Sequence, residues 1–184
     1  MSNGCLVASS GIMSTNKVSC SWGGRVRDVK RRETKDYQFA TAANQNVLMW
    51  QLDPHMGTLK FNKANTGGLI REYTCLTYSA DGEYLYVGTA SGEFACIHVR
   101  NNLLHSTFSV CAQGVQAMGI SLDDKLIIGG GDGTVTLFKG KGKDFVDTKK
   151  KNLNGAVISL SFGPDCETFI AATTEGDVYR CITN

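Results

Sequence analysis

Three short stretches of the sequence carry residue types that can do chemistry. His98 and His105 stand seven residues apart with Cys96 close by, and imidazole and thiolate are the donors a zinc ion takes. The further ligands such a site needs are missing, because no CxxC pair occurs and His55 completes no ligand spacing. Gly129-Gly130-Gly131-Asp132-Gly133 has the look of a phosphate-cradling loop. That loop needs a helix N-terminus behind it and a Lys-Ser/Thr pair for phosphate and metal, whereas this run is followed by Thr134-Val135 between two apolar stretches. A hairpin turn fits it better. Asp123-Asp124 offers paired carboxylates, but neighbouring residues in a polar turn serve more often as turn formers than as an acid/base pair. Cys-His nucleophilic catalysis would need a third, orienting group, and none is positioned. No catalytic residue, metal or cofactor is expected.

The composition narrows the class. The chain has 184 residues, 42% of them hydrophobic, enough for a sizeable core. It has 21 glycines against two prolines, which points to many tight turns joining short strands. Nineteen Lys and Arg against 17 Asp and Glu leave a formal charge of +2. A dedicated nucleic-acid binder rests on clustered phosphate-neutralising charge, so nucleic acid is not an expected partner. The seven cysteines are odd in number and mostly sit in apolar strand contexts, where a thiol acts as a small hydrophobe; we read a reducing, cytoplasmic compartment. The first residues lack the basic flank and apolar core of a signal peptide, and no apolar run approaches a membrane span.

What positions all these residues is a repeat. Four segments superpose: Tyr37–Leu52, Glu83–Val99, Lys125–Gly140 and Glu167–Thr183. Each is an apolar strand ending in small residues, a tight turn, and a second apolar strand. The first apolar residue after the turn is Val47, Phe94, Val135 and Val178, at spacings of 47, 41 and 43 residues. Two residues earlier stand Gln45, Gly92, Gly133 and Gly176, and glycine there suits a turn needing positive φ. A third strand precedes each pair, starting near Arg25, Tyr73, Val115 and Val157. Polar turns follow it at Ala80-Asp81-Gly82, Leu122-Asp123-Asp124 and Gly163-Pro164-Asp165. Outer strands are expected at Leu103–Val110 and Asp144–Lys151. A period of 40–45 residues with four strands per unit is that of WD-type propeller blades. A β-sandwich also has short strands and regular turns, but it gives no reason for so long a period. The expected fold is all-β, a WD40-type β-propeller of about four degenerate blades.

The units are placed near residues 25–53, 73–100, 115–140 and 157–184. Residues 1–24 are expected to be the tail of a preceding blade, with Cys5–Gly11 as its second strand and Lys17–Trp22 as its outer strand. Repeats need neighbours to cover their apolar faces. The expectation is therefore an incomplete propeller or a fragment, with the remaining blades in the same or another chain. The blades are degenerate because the Trp-Asp position holds Trp50-Gln51, Ile97-His98, Phe138-Lys139 and Cys181-Ile182, no Gly-His dipeptide occurs, and the turn Asp survives only as Asp132.

The stretches FATAANQNVLMWQLD, YLYVGTASGEF, LIIGGGDGTVTLFK and FIAATTEGDVYR, in this order, resemble the cilia- and flagella-associated protein 52 family. Members of that family are WD-repeat components of ciliary doublet microtubules, much longer than this chain and built of two propellers. The resemblance runs from about Val26 to Asn184. It implies a non-catalytic scaffold of the cytoskeleton, a microtubule inner protein in the cilium or flagellum axoneme that binds tubulin and neighbouring inner proteins. The rival binding module is a cytosolic WD-repeat adaptor of another complex; an enzyme with a site in the propeller channel is the third reading.

Two basic clusters are the candidate contacts. One is Arg25, Arg27, Lys30, Arg31 and Arg32; the other is Lys139, Lys141, Lys143, Lys149, Lys150 and Lys151. The plain reading is a solvated charged edge that discourages strand-to-strand association. The sharper one is attraction to an acidic protein surface such as tubulin, steering and holding a partner by charge.

Overall fold

A computed structural model describes residues 18–43, 45–68 and 70–183. Among these residues the only regular elements are β-strands, arranged as antiparallel sheets in chain order. The first sheet is β1 (Val18–Arg27), β2 (Glu33–Ala43), β3 (Asn46–Asp53) and β4 (Thr58–Lys63). The second is β5 (Tyr73–Tyr78), β6 (Tyr84–Thr89), β7 (Glu93–His98) and β8 (Leu103–Ser109). The third is β9 (Val115–Ile120), β10 (Leu126–Gly130), β11 (Thr134–Lys139) and β12 (Val146–Asn152). The fourth has three strands, β13 (Val157–Phe162), β14 (Thr168–Thr173) and β15 (Val178–Ile182). The strands that open the sheets touch in succession, β1 on β5, β5 on β9 and β9 on β13, whereas β13 and β1 make no comparable contact. Sheets fanned about a line of inner strands are propeller blades. The array of described residues is open.

The apolar runs of the middle strands follow from this stacking. A sheet sandwiched between two others buries both faces, so alternate residues of one strand feed different cores. Leu85, Val87 and Ile97 point into the cluster shared with Ala40, Val47 and Met49 of the first sheet. Tyr86, Phe94 and Cys96, one residue out of phase, point into the cluster shared with Leu126, Ile128 and Phe138 of the third. Ile127, Val135 and Leu137 then turn to Val157, Phe169 and Ala171 of the fourth. Leu85, Val87, Ile97, Leu126, Ile127 and Ile128 are fully buried, and each such side chain contributes about 1.5–3 kcal/mol. The end sheets bury one face only. On the side of the first sheet away from the second, Trp22, Phe39, Trp50 and Phe61 stand opposite one another across all four strands, with ring centroids 5.0–6.2 Å apart.

The hairpin between the second and third strands of a sheet closes as expected. Gly92, Gly133 and Gly176 have φ of 90°, 79° and 84°, and each N–H donates to the carbonyl three residues before it. The hairpin between the first and second strands is also one recurring turn. Arg31, Gly82, Asp124 and Cys166 close it with φ of 61°, 71°, 60° and 56°, donating to Asp28, Ser79, Ser121 and Gly163.

Two expectations need correction. Val18–Trp22 is not the outer strand of a preceding blade: it is the first half of β1, paired with Ala43–Phe39 of β2. The chain passes a bulge at Gly23-Gly24 and continues in the same strand to Arg27. The expected strand Cys5–Gly11 lies outside the described residues, as does Lys17. The turn of the fourth sheet runs one residue later than expected, because Cys166 rather than Asp165 takes the left-handed position; Asp165 instead accepts the N–H groups of Glu167 and Thr168.

Candidate acidic-partner interface

Antiparallel order puts the first-second and third-fourth hairpins of the first three sheets, and the first-second hairpin of the fourth, at the same end of the array. The connection between the third and fourth strands leans on the first turn of the sheet before it. Arg100, between β7 and β8, donates from Nη2 to the Asp28 carbonyl at 3.4 Å. Lys141, between β11 and β12, pairs with Asp81 and lies 3.6 Å from Glu83. Glu83 also takes Arg31 Nε at 3.0 Å. Arg31 and Lys141, from clusters more than a hundred residues apart in sequence, therefore meet on one carboxylate. Between the first and second sheets this end opens into a cleft of about 350 Å³, with Arg27, Arg31, Arg100, Asp81 and Glu83 in its lining.

The other basic residues divide into held and unheld. Arg32 binds Asp28 through Nε and Nη2 at 3.0 and 2.9 Å, and Arg27 lies 3.9 Å from Glu33. Arg25 sits over the Tyr37 ring, 5.1 Å from its centroid, and donates to the Thr34 carbonyl. Lys30, Lys139 and Lys143 are exposed and have no carboxylate within 4 Å among the described residues. Partial burial, and then the charges of Arg31 and Arg27, lower the pKa of Lys141 from its ordinary value. The N–H of Arg32, helped by its side chain and the Lys30 N–H, outweighs burial and holds Asp28 below the ordinary carboxylate range. The six lysines do not form one patch. Lys139, Lys141 and Lys143 are at the cleft end, while Lys149, Lys150 and Lys151 lie along β12, with Lys150 Nζ reaching Val110 O at 3.1 Å.

Glu83, Asp81 and Arg100 were not singled out in the sequence. Glu83 and Asp81 belong to a turn whose partners lie in other repeats. Their place was signalled only by register, since Asp81, Asp123 and Asp165 recur at a constant 42 residues.

The residues considered for chemistry have structural work. His98 and His105 both pack against the Tyr84 ring, at 5.3 and 5.9 Å between centroids. Burial pushes the Cys75 and Cys96 thiols up to about 12, where a thiolate nucleophile does not form at neutral pH. Asp123 pairs with Lys125 at 2.8 Å, and Asp124 Oδ1 accepts the Ala80 N–H of the neighbouring turn at 2.7 Å. Asp132 accepts the N–H groups of Thr134 and Ala112, both at 3.0 Å, which ties its hairpin to the strand connection before it. No group of three or more His, Cys, Asp and Glu able to hold a metal occurs among the described residues.

No family model matches the chain. A Bos taurus protein named Cilia- and flagella-associated protein 52 is 26% identical over 163 residues, covering 85% of this chain. The chain is similar to cilia- and flagella-associated protein 52. The Homo sapiens protein of that name is 26% identical over the same share of the chain, and the Chlamydomonas reinhardtii one 28% identical over 78% of it. The match is partial in the other direction. The chain spans about a quarter of the length of these relatives, 25%, 26% and 24% respectively.

Proposed function

We propose that the chain is a non-catalytic WD-repeat scaffold of the ciliary or flagellar axoneme, a microtubule inner protein that stabilises doublet microtubules. In this reading each sheet is one blade, and the remaining blades are supplied by the same or another chain. Tubulin and neighbouring inner proteins are its partners, and the turn end carrying Arg27, Lys30, Arg31, Arg100, Lys139, Lys141 and Lys143 faces them. The observation that carries the reading is the similarity, over most of the chain, to proteins named for cilia and flagella in animals and an alga. The convergence of two basic clusters on one end supports it, because a cationic end is attracted to acidic protein surfaces over a Debye length and steers their approach.

The test is co-sedimentation of the purified chain with axonemal doublet microtubules across a salt series. Binding is expected to weaken with salt and to fall sharply when all six lysines from Lys139 to Lys151 are reversed to Glu. Unchanged binding in that variant removes the lysine contact. A tagged chain found in cytosol and absent from salt-washed axonemes would instead favour a cytosolic adaptor.

A further inference from the structure

Twice among the described residues, the first turn of one sheet meets the third-fourth connection of the next, and the two meetings differ in charge. Between the second and third sheets, the turn residues on either side of Gly82 are the acids Asp81 and Glu83. Lys141, two residues past the end of β11, pairs with the first and lies 3.6 Å from the second. Between the first and second sheets, the equivalent turn residues, on either side of Arg31, are Lys30 and Arg32. The counterpart of Lys141, two residues past the end of β7, is Arg100. All three groups are basic there, so this meeting lacks the opposite charge that closes the other.

The carboxylate of the first turn does not supply it. Asp28 already accepts two side-chain nitrogens of Arg32 and the N–H groups of Lys30 and Arg32, and Arg100 reaches only its backbone carbonyl. Neither Lys30 nor Arg100 has a carboxylate within 4 Å among the described residues.

The two gaps also differ in filling. Residues 140–145 send Phe145 into the cluster between the second and third sheets, where its ring meets those of Tyr86, Phe94 and Phe108. Residues 99–102 are a shorter connection, and the cleft of about 350 Å³ stays open beside them. Arg27 lines it from the first sheet and Arg100 from the second. Arg27 stands 3.9 Å from Glu33, too far for a hydrogen bond. The acids in the lining, Asp81 and Glu83, are the two that Lys141 and Arg31 hold. Asn62 and Asn102 in the same lining offer hydrogen bonds to a main chain.

We propose that this cleft seats an acidic segment of a partner protein, whose Asp or Glu carboxylates pair with Arg27 on one wall and Arg100 on the other. Guanidinium and carboxylate match in geometry as well as charge. The partner thus supplies between the first and second sheets the opposite charge that the chain supplies for itself between the second and third. The proposal narrows the partner-facing end to one seat and rests on that reading for the partner's identity; the charge reversal stands without it.

The probe is a capped, fluorescein-labelled Gly-Glu-Glu-Gly-Glu-Glu-Gly peptide, with its Gln counterpart, titrated against the full chain at low salt by fluorescence anisotropy. The Glu peptide should bind at least about tenfold more tightly, and Arg27→Gln combined with Arg100→Gln should remove that preference. Lys149→Gln combined with Lys151→Gln, which takes away the same charge elsewhere, should leave it in place. A diazirine on the Glu peptide should label residues 26–31 and 99–102 of the parent chain rather than β12, an arm that needs no variant to fold. Equal affinity for the two peptides, equal losses in the two double variants, or labelling centred on β12 overturns the proposal. N-acetylglutamate should compete only at about a hundredfold or more above the peptide's concentration; competition at equal concentration would make this a seat for a free small anion and overturn the partner assignment. Peptide binding without doublet-microtubule binding would sink the proposed function and leave the seat standing. Doublet-microtubule binding undiminished in the variant that has lost the peptide would overturn the seat and leave the proposed function standing.

Discussion

Val157, the first residue of β13, packs directly on the backbone of Gly129 in β10, so closely that a methyl group on Gly129 would stand 2.4 Å from Val157 Cγ1. One repeat earlier, Val115 of β9 occupies the same place against Gly88 of β6, at 2.6 Å. The inner strands β9 and β13 thus each begin by seating a valine in the gap left by a glycine of the preceding sheet, and the spacing between the second, third and fourth sheets is set there.

Gly129→Ala is expected to destabilise the chain by about 1–3 kcal/mol, the usual cost of overfilling a packed contact. The midpoint of urea unfolding should fall without a change in slope. Because both contacts under 3 Å are with Val157, Gly129→Ala combined with Val157→Ala should lose less than the sum of the two single changes. Strict additivity would mean that the glycine serves some purpose other than this contact.

The turn that joins the first and second strands of each sheet ends in a left-handed residue, glycine in only one of four cases. Cys166 holds φ 56° there, and its role in the neighbouring contact is through its carbonyl, which accepts Lys125 Nζ at 3.1 Å. Cys166→Gly should therefore raise stability by up to about 1 kcal/mol, the strain of the left-handed conformation outweighing glycine's extra freedom in the unfolded chain. A lower unfolding midpoint in this variant would show that the thiol's packing matters more than the backbone.

The repeat, the strand order and the glycine hairpins were legible because they are written in residue types at fixed spacing, as at Gly92, Gly133 and Gly176. The run Leu126-Ile127-Ile128 is apolar on both faces, as a sheet covered on both sides requires. What was not legible depends on proximity across repeats. Nothing local in Arg31 or Lys141 tells that Glu83 lies between them. Lys139 to Lys151 read as one cluster along the chain, yet the turn at Gly140–Phe145 sends its two halves to different parts of the third sheet. The expected boundary at residue 24 falls at a bulge inside β1, because glycine within a strand marks a bulge as readily as an end.

Asp132 gives a pH-dependent handle on the contact between its hairpin and the strand connection before it. Burial would raise its pKa, but hydrogen bonds from the Ala112 and Thr134 N–H groups outweigh burial, and the net shift is downward. A carboxylate depressed in the folded state stabilises fully above its unfolded value of roughly 4, and that stabilisation is lost as pH falls through the folded value. Asp132→Asn keeps an acceptor oxygen and removes the charge. It should cost about 1 kcal/mol at pH 6, and the difference from the parent chain should shrink as pH falls below about 4. A difference that stays constant from pH 6 to pH 3 would show that the charge contributes nothing.

Glu83 offers the sharpest test of the cationic end, because it is the carboxylate that Arg31 and Lys141 share. If those two cations reach an acidic partner, Glu83 competes with that partner for them. Glu83→Gln should release Arg31 and leave Lys141 held by Asp81 alone, tighten binding to doublet microtubules by about two- to fivefold at low salt, and steepen the fall of affinity with salt. The side chains are partly exposed, with relative accessibilities of 73% for Arg31, 32% for Lys141 and 22% for Glu83. The loss of intramolecular stability should therefore stay under about 1 kcal/mol. Thermal unfolding measured alongside binding separates the two effects. A variant that folds as the parent does but binds no more tightly would mean that Arg31 and Lys141 serve to clamp the first and third sheets onto the second, and that the partner docks elsewhere.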